Sequence, residues 1–94
     1  MTKQTPNPSK ETLLEFPCRF PIKMMGRDSE HFRRVAIELV ETHAGKIPED
    51  SITESSSSNG NFVSITVTID AQSQEQLDNI YRALSDHEDV LVAL

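Results

Sequence analysis

Three histidines, one cysteine and a run of acidic residues are the side chains of this 94-residue chain with reactive chemistry to offer. His31, His43 and His87 fall in different elements with no paired Cys or Asp at ligand spacing, so no metal site is expected. Cys18 needs a neighbouring base to act as a nucleophile, and none is near in sequence; it reads as a plain half-buried cysteine. Asp86-His87-Glu88-Asp89 offers carboxylates to a hard cation, but four residues between a helix and a strand read as a solvated turn. There is no phosphate-binding loop and no dinucleotide fingerprint. With no acid/base or nucleophilic constellation, the expectation is a protein that is not an enzyme and carries no cofactor.

Two segments have a binding rather than a catalytic case. In Met25-Gly26-Arg27-Asp28-Ser29 a strand runs into a helix. Gly26 permits a turn and close backbone approach, Arg27 supplies a cation, and the helix start supplies free N–H groups at Asp28 and Ser29. Against a ligand there stands the simpler reading, in which Asp28 or Ser29 caps the helix with the same N–H groups. The second segment is the row Ser64, Thr66 and Thr68, one face of a strand, which either stays solvated or takes a partner.

Those residues are positioned by the elements around them. Phe62-Val63-Ser64-Ile65-Thr66-Val67-Thr68-Ile69 alternates β-branched apolar residues with Ser and Thr, the pattern of a strand with one buried and one polar face. Residues 16–25 give another strand, with Phe20, Ile22 and Met24 on one face and Arg19, Lys23 and Met25 on the other. Pro21 lacks an N–H, which places the start of its regular ladder after that residue. A helix is predicted over about 29–43, with Phe32, Val35, Ala36, Leu39 and Val40 in one stripe, Glu30–Arg34 and Arg34–Glu38 as i,i+4 pairs, and Gly45 ending it. Residues 51–56 form a weak polar strand suited to a sheet edge. Ser57-Ser58-Asn59-Gly60-Asn61 is a hairpin loop. A second helix over about 74–85 opens with Ser73 and Gln76 at capping-box spacing and buries Leu77, Ile80, Tyr81 and Leu84. Residues 90–94 close the chain as a final strand.

The order β-α-β-β-α-β is the split β-α-β arrangement of an α+β, ferredoxin-like sandwich: an antiparallel four-stranded sheet in the order 4-1-3-2 with two helices on one face. Residues 1–12, polar and with two prolines, read as a disordered tail, and 13–94 as one domain. The net charge of −6 is unevenly spread: residues 1–27 carry five basic and two acidic groups, residues 28–94 four basic and thirteen acidic. An acidic body repels phosphate, so no nucleic-acid partner is expected. No apolar run reaches the roughly 18 residues that span a bilayer, which argues against a membrane. No secretory leader is visible, and a lone cysteine suits a reducing cytoplasm.

Leu13-Leu14-Glu15-Phe16-Pro17, then Phe20 and Lys23 to Met25-Gly26, resembles the start of the YbeD-like family of small uncharacterised bacterial proteins. The serine-rich turn with Gly60 leading into Val63-Ser64-Ile65-Thr66-Val67 resembles it as well, as does Ile80-Tyr81-Arg82-Ala83-Leu84 before a closing apolar strand. The resemblance covers residues 13–94 and is carried by structural motifs. It implies a fold similar to ferredoxin-like regulatory modules of the ACT type, in which the strand-to-helix loop helps bind amino acids, often at a dimer interface. It supplies no catalytic or ligand residues to carry over, and a loose association with lipoate metabolism comes with it. Two functions follow: a non-enzymatic, ACT-like regulatory module that senses a small metabolite as a homodimer; or an adaptor that binds a protein partner through the open sheet face or an edge strand.

Overall fold

A computed structural model describes residues 14–57 and 59–94; the tail expected at residues 1–12, and Leu13, lie outside them. The elements run β1 (Cys18–Arg27), α1 (Glu30–Ala44), a short 3-10 turn (Glu49–Ser51), β2 (Ile52–Ser56), β3 (Phe62–Ala71), α2 (Gln74–Asp86) and β4 (Val92–Ala93). The sheet is antiparallel with order β2-β3-β1-β4, which is the expected 4-1-3-2 read from the other edge.

Alternation decides the layers. Val63, Ile65, Val67, Ile69 and Ala71 of β3 and Ile22 and Met24 of β1 are buried, and both helices pack on that side through Phe32, Ala36 and Val40 of α1 and Leu77, Ile80 and Leu84 of α2. Val35 and Leu39, expected in the α1 stripe, are only half-buried at its margins. Burial of the Val, Ile, Leu, Met and Phe side chains among these, at roughly 1.5–3 kcal/mol each, supplies the main driving force for the fold.

The helix ends are built from the residues that cap best. Ser29 Oγ accepts from the Phe32 N–H at 3.0 Å, and Ser73 Oγ accepts from the Gln76 N–H at 3.0 Å. Gln76 completes no reciprocal box with Ser73. Its Oε1 accepts instead from the Gln72 N–H at 2.7 Å, while its Nε2 donates to the His43 carbonyl at 3.0 Å, tying the start of α2 to the end of α1. Gly45, at φ 82°, ends α1 as expected.

Three strand expectations are corrected. The β1 ladder does not wait for Pro21: it pairs with β3 from Cys18 to Arg27, with Pro21 opposite Thr68. Lys23 exchanges both main-chain bonds with Leu94, at 3.1 and 2.8 Å, so residues 21, 23 and 25 turn their backbone groups toward the β4 edge. Pro21 thus faces the stretch of that edge beyond Leu94 and forfeits no bond to β3. Gly26 does not turn the chain either; it lies within β1 and is not among the positive-φ glycines. The closing strand has only two residues of regular ladder, Val92 and Ala93, although Leu91 also donates to the Met25 carbonyl at 2.9 Å. No helix among the described residues is long and apolar enough to cross a membrane.

Candidate functional site

The loop from β1 to α1 is held by its own groups. The Asp28 N–H donates to the Asn61 carbonyl at 3.1 Å, and the Ser29 carbonyl accepts from the Arg33 N–H at 3.2 Å. Ser29, not Asp28, caps the helix. Asp28 instead takes the Arg33 guanidinium, Oδ1 to Nη2 at 2.8 Å, and the same guanidinium reaches Glu54 of β2 through Nε at 3.1 Å. The Asp28 hydrogen bond, then that of Glu54, holds the Arg33 pKa above the ordinary arginine value. Sequence spacing favoured Arg34 as the paired arginine of α1. Neither of its expected i,i+4 pairs is among the ion pairs of the described residues, and Arg33 joins helix, loop and edge strand instead. Only the topology, which sets Glu54 on the helix-facing side of β2, brings that pair together.

Gly26 owes its identity to packing. A Cβ at this position would lie 2.5 Å from Cε1 of Phe32 and 2.7 Å from the Asp89 carbonyl oxygen. The close approach that sequence assigned to a ligand is made by the aromatic ring of α1. Beside the loop a cavity of about 250 Å³ is lined by residues that include Arg27, Ser29, His31, Glu88 and Asp89. In its wall His31 Nε2 sits 2.8 Å from Asp89 Oδ2. With two carboxylates in its wall, this cavity suits a zwitterion better than a simple anion. Gly26 is buried and Asp28 is engaged with Arg33, so of the four residues expected to form the site Arg27 and Ser29 line this space. Among the described residues no three His, Cys, Asp or Glu side chains gather to hold a metal ion.

The polar row of β3 is brought into a wider surface. Ser64, Thr66 and Thr68 stand opposite Met25, Lys23 and Pro21 of β1, and Thr53 and Ser55 of β2 continue the Thr66 and Ser64 rows. Val92 lies opposite Met25, and Leu94 opposite Lys23, on the same face. This face is the reverse of the one that carries the helices. Its centre is hydroxyl-rich, its β4 side is apolar, with Val92 at 41% and Leu94 at 68% exposure, and β1 runs three cations along it: Arg19, Lys23 and Arg27. Arg19 pairs with Asp70 at 3.1 Å, and Arg27 stands 5.6 Å over the Phe62 ring. Lys23 and Arg27 take no carboxylate among the ion pairs of the described residues. The sequence singled out the Ser and Thr row. The cations of β1 and the apolar pair of β4 join it only through strand order, which places β1 between β3 and β4.

Topology and layer arrangement define a small α+β domain of the ferredoxin-like class, open on one sheet face. The chain belongs to the family of proteins of unknown function DUF493, whose profile matches residues 11–94, in keeping with its YbeD-like sequence. It is 46% identical to a UPF0250 protein of Neisseria gonorrhoeae over the full length of both chains. It is 41% identical to UPF0250 protein NE1487 of Nitrosomonas europaea, over 92% of this chain and 99% of that one. Its fold is similar to the solution structure of HP0495 from H. pylori, with a TM-score of 0.64, 20% identity, and 99% and 98% of the two chains covered.

Proposed function

We propose that this protein is a non-catalytic regulatory module that acts by docking a protein partner on the open face of its sheet. The observation that carries this reading is the composition of that face: exposed Val92 and Leu94, a hydroxyl row, and two cations without a carboxylate among the described residues. A sheet face that served only to meet water would have little use for an exposed valine and leucine beside half-buried Met25. The strand-to-helix loop gives less support to sensing, because Asp28 and Ser29 are spent on Arg33 and on the helix cap.

The test is affinity capture from native lysate with three forms of the protein: wild type, Thr66→Arg on the sheet face, and Glu38→Arg on the outer face of α1. A partner retained by Glu38→Arg and lost with Thr66→Arg supports the proposal. A partner lost only with Glu38→Arg moves docking to the helices.

The second reading, an ACT-like module sensing a small metabolite, has the cavity beside Arg27 and Ser29 in its favour. Amino acids titrated into isotope-labelled protein should then shift the amides of Arg27, Ser29 and His31. Silence of these amides at millimolar ligand removes that reading and leaves docking in place.

A further inference from the structure

Lys23, Met25 and Arg27 stand in line on the central strand β1, all on the open face, with Val92 abreast of Met25. Four residues of extended chain separate the two cations by roughly 13 Å. Eight residues of α-helix, a little over two turns, rise about 12 Å at about 1.5 Å per residue, close enough for flexible lysine and arginine side chains to take up the difference. We propose that the partner segment is an α-helix laid along β1, bearing two carboxylates about eight residues apart with an apolar side chain between them. The carboxylates meet Lys23 and Arg27, and the apolar residue meets Met25 and Val92. This deepens the docking reading above and rests on it.

Two observations favour this occupant over a second copy of the chain. The first is charge. The sheet face carries Arg19, Lys23 and Arg27 against a single Asp70, whereas most of the acidic residues lie on the helices and loops. Two copies meeting sheet to sheet would set cations against cations, an arrangement that electrostatic complementarity disfavours. An acidic segment is repelled by the helical layer and drawn to this face. The second is size. Strands of ten, ten, five and two residues make the sheet. At about 3.3 Å per residue and 4.8 Å per strand, that gives a flat footprint of roughly 430 Å². One helix of about 10 Å width fills such a strip, while a stable globular interface takes about 800 Å² from each partner.

The experiment uses the full chain, isotope-labelled, and three synthetic 15-residue Ala-based helices. One carries Glu at two positions eight apart with Leu midway, one carries Lys in place of both Glu, and one has the order of the first scrambled. The acidic helix should move the amides of Lys23, Met25, Arg27 and Ser64, and its affinity should fall with added salt. Lys23→Glu with Arg27→Glu, both at exposed positions, should weaken it by roughly tenfold and gain affinity for the lysine helix. Unchanged melting temperature of the double variant confirms that the fold is intact. Equal binding of the three helices, or shifts confined to another surface, overturns the proposal. If Thr66→Arg still abolishes the lysate partner in that case, docking stands and only the occupant's chemistry falls; if it does not, both fall. Sedimentation that shows a dimer dissociated by Lys23→Glu overturns the proposal in favour of a second copy.

Discussion

At position 26 the absence of one carbon lets Phe32 close the top of the core. Gly26 is an ordinary extended residue, so alanine would suit its backbone; the obstacle is the ring 2.5 Å from where Cβ would stand and the Asp89 carbonyl behind it. Gly26→Ala should therefore cost roughly 1–3 kcal/mol by overpacking, read in denaturant melts, and a neutral result would mean that Phe32 has room to withdraw. Tyr81 gives a prediction in pH. Its hydroxyl donates to the Leu94 carbonyl at 2.7 Å, and partial burial raises its pKa above the usual phenol value. The protonated form is favoured in the folded state, so its contribution is fully present below a pH of about 10 and is lost as pH rises through the higher folded pKa. Tyr81→Phe should remove that alkaline component and cost about 1 kcal/mol at neutral pH through the lost hydrogen bond. An alkaline melt of the same slope in both proteins would place the titration elsewhere.

Among the elements, β3 carries the most of both core and surface. Val67 is fully buried at its centre, whereas Leu39 of α1 is half-buried at the margin of its stripe. Val67→Ala should destabilise by roughly 2–4 kcal/mol and Leu39→Ala by less, while Ser64→Ala and Thr66→Ala stay within about 0.5 kcal/mol. Losses as large for the hydroxyl pair would mean that their face is covered in the isolated protein. The legibility of these elements in the sequence follows the same division. Period-2 alternation in β3, the caps at Ser29 and Ser73 and the glycine at 45 are local signals, and the structure follows each of them. The role of Gly26, the Arg33 bridge and the course of β1 through Pro21 depend on what lies across the sheet or on the next layer. Local spacing carries no record of a neighbour twenty to sixty residues away along the chain, as Glu54 is from Arg33, Thr68 from Pro21 and Asp89 from Gly26, so these three read differently in sequence.

On the scale of the whole molecule the charges are sorted by layer. The overall balance of −6 is legible in composition and the cations of β1 in its alternation, but their company with Val92 and Leu94 is not, because it forms only after β4 has folded against β1. The same edge has a built-in limit. A residue placed two positions after Leu94 would come opposite Pro21, where β1 has no N–H to offer. A peptide tag fused after Leu94 should thus leave the sheet instead of lengthening β4, and its amides should exchange with solvent at the rate of an unfolded chain. A strand donated by another molecule would meet the same gap. The proline guards this side of the sheet against fibrous stacking, as the charge of Glu54 on β2 does on the other.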